Sequence, residues 1–278
     1  MPYAAASFGD CRTQTLGAVT GTSTGTLVTA NATANTKGAW VSLGQAARAY
    51  ELFHVGIGAS SAAADYVFDV GLSGDGTNFY EIATNLRLGA LKGAADLFLG
   101  YTIPVRIPDG FFVGMRCAAS TGGSTLRGIV TAATSTPLSA GGFSELNAYY
   151  TPNASRGITV DAGATANTKP AWTSIGTLSA GETVDAIMLG IGPNADVTRT
   201  AATTGLLDIG VGSAGNQYAV IENILWGFTT TSDTPFPNVV GPLPVSIPAN
   251  TTIWARMQST NTTAGDRTID LAVWGLIA

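Results

Sequence analysis

The chain carries one set of sequence blocks twice in the same order, and this duplication restricts its fold more than any other feature. TANTKGAWVSLG begins at Thr33 and TANTKPAWTSIG begins at Thr165, an offset of 132 residues. Two longer blocks follow in each copy: DVGLSGDGTNFYEI from Asp69 and DIGVGSAGNQYAVI from Asp208, then IPVRIPDGFFVGMRCAAS from Ile103 and LPVSIPANTTIWARMQS from Leu243. This order predicts one domain duplicated in tandem, with loop insertions between its elements.

The positions of the blocks give the domain boundaries. We predict an extended N-terminal arm, a first β-sandwich repeat, a linker and a second β-sandwich repeat, at 1–24, 25–137, 138–156 and 157–278 respectively. Each repeat is then about 115–120 residues long, which is a common size for a single domain.

The arm is rich in Gly, Thr and Ser, and its apolar anchors are few. Tyr3, Phe8 and Leu16 are too widely spaced to build a core, whereas ordering the backbone costs roughly 1–2 kcal/mol per residue. We therefore expect the arm to be disordered in the free chain and to become ordered in pockets of neighbouring subunits. The oligomer expected from such contacts is a homo-oligomer with closed symmetry, a trimer being favoured.

Alternating apolar residues predict strands in both copies. Phe68, Val70 and Leu72 share one face of a predicted strand, and Asp69 lies on the other. Turn sequences such as SGDGTN separate these segments. Charged residues make up 11% of the chain, compared with about 25% in an average globular protein. The fold class is therefore all-β, with two tandem antiparallel β-sandwich or jelly-roll domains related by internal duplication.

Two details refine this prediction. Pro104 and Pro108 in the first copy, and Pro244 and Pro248 in the second, flank a short strand. We expect it at a sheet edge, or just entering the sheet, because proline cannot donate to a strand ladder. Residues 83–99 are the only candidate for a helix. They have no clear cap and two interior glycines, so we interpret them as a loop or one short helix.

A set of polar and aromatic residues recurs at matching places in the two copies. They are Asn35, Lys37, Trp40, Asp69, Ile107, Pro108 and Arg116 in the first copy, and Asn167, Lys169, Trp172, Asp208, Ile247, Pro248 and Arg256 in the second. This pattern resembles a repeat in virion structural proteins of tailed bacteriophages, over both copies but not the arm. The resemblance implies a non-enzymatic structural protein located in the virion, with other virion proteins as partners. Its role would be that of a capsid decoration or cement protein, or of a tail or neck accessory protein.

The repeated tryptophans, Trp40 and Trp172, allow two interpretations. Buried rings would be core anchors, which we favour, and exposed rings would stack on sugars as in lectin-like jelly rolls. The second interpretation leads to an alternative function, a carbohydrate-binding host-recognition module on a phage fibre, with a glycan as the ligand.

The repeated charges lie off the apolar faces of predicted strands. A cross-strand ion pair in each copy, Asp69 with Arg116 and Asp208 with Arg256, is one interpretation, since Arg binds a carboxylate in bidentate fashion. Two unrelated surface charges in each copy are the alternative.

The remaining candidates do not favour catalysis. His54 is the only histidine and has no counterpart in the second copy, so we interpret it as structural. The oxygen-rich segment 75–78 is typical of a hairpin turn, since its counterpart SAGN has no carboxylate for calcium. Of the two cysteines, Cys11 and Cys117, the second is expected to be reduced and buried. We predict no enzyme activity, no cofactor and no metal.

Charge and hydropathy exclude two further classes of partner. The net charge is −5 and Lys and Arg are not clustered, so we expect no direct contact with nucleic acid. No apolar run approaches the roughly 20 residues of a membrane helix, and the first residues lack the pattern of a signal peptide. We therefore expect synthesis in the host cytoplasm and no membrane partner.

Overall fold

The computed structural model describes residues 13–17, 25–58, 61–62, 64–88, 99–134, 143–150, 157–194, 197, 199–228 and 238–277. The first repeat contains β1 (Thr13–Leu16), β2 (Thr26–Thr29), β3 (Val41–Gln45), β4 (Leu52–Gly58), β5 (Tyr66–Ser73), β6 (Tyr80–Leu88), β7 (Leu99–Ile103), β8 (Phe112–Ala119) and β9 (Thr125–Ala133). The second contains β10 (Glu145–Ala148), β11 (Ile158–Asp161), β12 (Thr173–Thr177), β13 (Val184–Pro193), β14 (Thr203–Val211), β15 (Tyr218–Phe228), β16 (Asn238–Ile247), β17 (Thr252–Ser259) and β18 (Thr268–Ile277).

Strands β2 to β9 form a jelly roll. One sheet has the order β2-β9-β4-β7 and the other has the order β3-β8-β5-β6, with antiparallel neighbours throughout. Strands β11 to β18 repeat both orders, as β11-β18-β13-β16 and β12-β17-β14-β15. The chain is therefore all-β and internally duplicated, as predicted.

The apolar faces meet between the two sheets of each repeat. Met115 of β8 packs directly on Gly128 of β9, where a Cβ atom would lie 2.5 Å from the Met115 sulfur. Cys117 is buried in the same interior as a free thiol, and burial raises its pKa to about 12. Its predicted role as a small buried hydrophobe is confirmed, whereas Cys11 lies outside the described residues.

The prediction for the N-terminal arm is wrong where the structure describes it. β1 pairs with β9, from Thr13 opposite Ala133 to Leu16 opposite Val130. Leu16, which was expected to anchor on a neighbouring subunit, is 5% exposed and packs in the core of its own chain. The reason is that β9 is long enough to pair with β2 and then with β1 along one edge. The other predicted anchors, Tyr3 and Phe8, lie outside the described residues.

The predicted linker 138–156 also contains a strand, which corrects its interpretation as a connector. β10 pairs with β18 as β1 pairs with β9, and Glu145 follows Thr13 by the same 132 residues that separate the first sequence blocks. β1 and β10 are thus equivalent first strands of the two repeats.

The other edge of β10 joins the two repeats into one sheet. β10 pairs in parallel with β6, placing Leu146 opposite Ala83. The result is a nine-stranded sheet with the order β16-β13-β18-β10-β6-β5-β8-β3, to which β11 adds beside β18. The repeats therefore share a continuous core, and β18 is buried on both faces.

Two local predictions have different outcomes. The helix candidate 83–99 is wrong for its first six residues, which continue β6, because pairing with β5 overrides their helix propensity. Residues 89–98 lie outside the described ranges. The proline-flanked strand has a different outcome in each copy. In the second copy it lies in β16, which ends its sheet as expected. In the first copy β7 ends at Ile103, and Val105 and Ile107 form only isolated bridges to Phe143 and Tyr50, so the prediction of a strand there is wrong. No helix in the described ranges is long and apolar enough to cross a membrane.

Candidate functional site

The repeated aspartates and arginines form cross-strand ion pairs. Asp69 on β5 lies directly opposite Arg116 on β8, and Arg116 Nε donates to Asp69 Oδ2 at 2.8 Å. Asp208 on β14 lies opposite Arg256 on β17, and the same bond is 3.0 Å long. The predicted ion pair is therefore confirmed in both copies.

The repeated lysine binds the second oxygen of each carboxylate. Lys37 Nζ lies 2.5 Å from Asp69 Oδ1, and Lys169 Nζ lies 2.6 Å from Asp208 Oδ1. The aspartate side chains are only 2% and 0% exposed. Each buried carboxylate thus has a cation on each oxygen, which offsets the cost of removing its charge from water.

A backbone N–H group completes each cluster. Asn85 on β6 donates to Asp69 Oδ1 at 2.7 Å, and Asn223 on β15 donates to Asp208 Oδ1 at 2.9 Å. Both asparagines have a positive φ, 49° and 59°, where their strands are irregular against β5 and β14. Asparagine tolerates this conformation better than most residues.

The repeated Asn35 and Asn167 shape the turn that delivers the lysine. Their φ angles are 60° and 56°, and their N–H groups donate to Ala119 O at 2.7 Å and to Ser259 O at 2.8 Å. These bonds fasten the turn to the end of β8 or β17. The lysine two residues later and the tryptophan five residues later then lie over the neighbouring sheet.

Both tryptophan side chains are partly buried against this sheet. They are therefore neither fully buried core anchors nor freely exposed rings, the two interpretations that the sequence allows. Arg116 Cζ lies 4.8 Å from the centroid of the Trp40 ring, and Arg256 Cζ lies 4.4 Å from that of Trp172. These are cation–π distances. The same guanidinium therefore bonds the carboxylate and covers the indole. Phe79 also stacks against Trp40, with a centroid separation of 5.4 Å.

A glycine under each tryptophan also belongs to the cluster. A Cβ atom at Gly71 would lie 2.7 Å from Trp40 Cη2, and one at Gly210 would lie 2.7 Å from Trp172 Cη2. Each glycine follows its aspartate by two residues, so the glycine and the aspartate lie on the same face of the strand. The signal was present as the D-V-G and D-I-G blocks. We call each set of Lys, Trp, Asp, Gly and Arg a polar anchor.

The polar anchor shifts the pKa values of its members. Burial alone would raise the pKa of Asp208, but hydrogen bonds from Lys169, the Asn223 N–H and Arg256 outweigh it, so the pKa lies below its ordinary value. Burial lowers the pKa of Lys37, and the charge of Asp69 opposes that shift only in part. The second-copy carboxylate is thus stabilised in its ionised form.

Acid should weaken the second repeat through Asp208. A carboxyl whose folded pKa is depressed contributes stability above its unfolded pKa, about 3.9, and this contribution is lost as the pH falls through the folded pKa. Between about pH 5 and pH 3, urea midpoints should fall more steeply for the wild type than for Asp208→Asn. Equal slopes for the two proteins would contradict the assignment.

The other candidates have local structural roles. His54 is exposed on β4, and its Nδ1 lies 3.1 Å from Thr102 Oγ1 on β7. The Asp75 carboxylate accepts the N–H groups of Thr77 and Asn78, both at 2.8 Å, so its loop is the predicted hairpin turn. Within the described residues, no three His, Cys, Asp or Glu side chains are grouped so as to hold a metal ion.

An open polar cavity of about 290 Å³ lies where the two repeats meet. Thr84 of β6, Asn147 of β10 and Glu182 of the loop before β13 line it, together with Tyr149. The Tyr149 hydroxyl donates to Glu182 Oε2 at 3.2 Å. The cavity belongs to the boundary between repeats and has no member of either polar anchor in its lining.

Comparisons with known proteins find similarity among solved structures. No family model and no curated protein matches the chain. Among solved structures, it is similar to the N-terminal CBM22-1–CBM22-2 tandem domain of Xyn10C from Paenibacillus barcinonensis, with 10% sequence identity and a TM-score of 0.26. The similarity covers 96% of this chain and 91% of that one.

Proposed function

We propose that this chain is a non-enzymatic structural component of a tailed-phage particle, either a capsid decoration or cement protein or a tail or neck accessory protein. The main support for this proposal is the structural position of the residues that recur in both copies. In both copies, the lysine and the arginine bind one buried aspartate of their own repeat, and the arginine covers the tryptophan. The residues that resemble phage virion proteins therefore act as fold anchors.

The shared sheet supports the same proposal. Through β10, the two jelly rolls form one body in which β6 of the first repeat and β18 of the second flank the same strand. A body with two similar modules suits a protein that acts through its contact surfaces rather than through a catalytic pocket.

The carbohydrate-binding alternative would require a tryptophan ring that a sugar can reach. Each indole already carries a guanidinium over its ring, at 4.8 Å in the first copy and 4.4 Å in the second. A sugar stacked on that face would have to displace Arg116 or Arg256, and would break the ion pair to the aspartate. The geometry therefore favours the structural role.

Mass spectrometry of purified particles tests the proposal. We expect peptides of this chain at a fixed ratio to the major capsid protein, retained through density-gradient purification. Particles from a phage with the gene deleted are the matched control for host contamination. Absence of the chain from purified particles would overturn the structural role. Glycan-array binding that is lost in Trp172→Phe would favour the carbohydrate-binding alternative instead.

A further inference from the structure

The contact between the repeats is a specific junction, built on β10 and β6. The Ala148 N–H donates to Thr84 Oγ1 at 2.9 Å, beside the parallel pairing of Leu146 with Ala83. Trp274 of β18 reaches across the same boundary, and its indole N–H donates to Thr84 O at 3.1 Å. We call this contact the internal junction.

A buried polar group crosses the internal junction further along β6. Arg87 is 2% exposed, and its guanidinium lies 3.5 Å from Asp270 Oδ2 of β18. Thr159 of β11 donates to the other oxygen of Asp270 at 2.9 Å. Arg87 of the first repeat and Thr159 of the second thus contact the two oxygens of the same Asp270 carboxylate.

Because the chain is duplicated, each strand of the internal junction has a counterpart in the other repeat. β1 is equivalent to β10, and β15 is equivalent to β6. β1 ends the sheet β1-β9-β4-β7, and β15 ends the sheet β12-β17-β14-β15. Among the described residues, no strand pairs with the outer edge of either. One edge therefore lies on the first repeat and its complement lies on the second.

At these two edges, leucines stand in place of the Arg87 and Thr159 of the internal junction. The counterpart of Asp270 is Arg127 of β9, because Leu27 pairs with Arg127 as Thr159 pairs with Asp270. Leu225 is equivalent to Arg87, because each follows the positive-φ asparagine of its strand by two residues. Leu27 is equivalent to Thr159, which it precedes by 132 residues, and it is paired with β9 as Thr159 is with β18. Leu225 is 74% exposed and Leu27 is 47% exposed.

The rest of β15 is exposed in the same way. Ala83 and Leu86 of β6 are fully buried, whereas their equivalents Ile221 and Ile224 are only partly buried. An open strand edge with several exposed apolar side chains is a pairing site that a protein normally covers.

We propose that the chain binds further copies of itself head to tail, with β15 of one copy beside β1 of the next in the arrangement of the internal junction. Leu225 would then meet Leu27 where Arg87 and Thr159 meet inside the chain. The carboxylate of Glu222 would stand in place of the Thr84 hydroxyl as an acceptor. The inference rests on the duplication and does not depend on the proposed function.

A junction of this type joins two different surfaces, so successive copies close into a ring or continue as a filament. A ring of three chains, for example, would hold six repeats. Their contacts would alternate between internal junctions and junctions between copies.

Directed disulfide formation tests the contact. Thr84 and Asn147 line one cavity at the internal junction, and their equivalents are Glu222 and Thr15, both exposed. In full-length chains carrying Cys11→Ser, a mixture of Thr15→Cys and Glu222→Cys proteins should form a disulfide-linked dimer on mild oxidation. Neither protein alone should do so, and Thr29→Cys, also exposed, should not replace Thr15→Cys. Absence of the mixed dimer, or dimers formed equally by one protein alone, would overturn the proposal.

Sedimentation velocity provides a second readout, with exposed positions that leave the core intact. Wild-type chain should associate as its concentration rises, and Leu225→Lys and Leu27→Lys should each reduce that association at least tenfold. Val197→Lys is the matched control, because Val197 is 37% exposed and belongs to the segment between β13 and β14 rather than to β1, β2 or β15. A wild type that stays monomeric throughout, or a control that loses association equally, would contradict the head-to-tail contact.

Discussion

Replacing Asp208 with alanine should lower the free energy of unfolding by about 3 kcal/mol. The substitution removes a fully buried carboxylate and leaves Lys169 and Arg256 without their partner. We expect a loss at the low end of the range for broken buried pairs, because the Arg256 side chain is 31% exposed and therefore partly solvated. Urea unfolding of the full chain, monitored by circular dichroism, measures the change.

Two control variants define this result. Asp185→Ala removes an exposed aspartate of β13 in the same repeat, and its effect should stay within about 0.5 kcal/mol. Asp69→Ala should also destabilise the first repeat, although there Arg116 keeps Glu81 as a second partner. A loss below about 1 kcal/mol for Asp208→Ala would mean that the polar anchor contributes little to the fold.

Replacing Trp274 with alanine should have the second large effect, a loss of about 3–5 kcal/mol. Trp274 is fully buried at the internal junction, with Tyr101 of the first repeat and Tyr150 in edge contact at 5.8 Å and 6.1 Å. Its removal leaves a large cavity between the repeats and takes away the donor to Thr84 O. Calorimetry should then show two separate transitions in place of a single cooperative one.

The matched control is Trp254→Ala. Trp254 is partly buried and its indole N–H donates to Gly212 O within the second repeat, at 2.7 Å. This variant should lower stability without separating the repeats. A single transition with an unchanged midpoint in Trp274→Ala would show that the repeats are not coupled through this residue.

Much of the fold was predictable because it depends on local patterns that the duplication shows twice. Alternation around Asp69 and Asp208 identified their strands, and the shared spacing identified Arg116 and Arg256 as candidate partners. The ion pairs follow from this spacing, because directly opposed residues of neighbouring strands are in contact.

The missed features depend on tertiary contacts. β1 and β10 are four residues long and have few apolar side chains, so they are strands only because β9 and β18 pair with them. Trp274 has no tryptophan at the matching place in the first repeat. It packs at the internal junction, which occurs once in the chain, so the duplication does not show it twice. The D-V-G and D-I-G blocks contain the glycine under each tryptophan, but the close packing of the ring on it depends on a tertiary contact.

A cryo-electron microscopy reconstruction of the purified phage particle tests the structural role most directly. We predict ordered density for both jelly rolls at regular positions in the capsid, neck or tail, with Arg116 and Arg256 over their own tryptophans. A particle whose complete reconstruction contains no density for the chain would contradict that role.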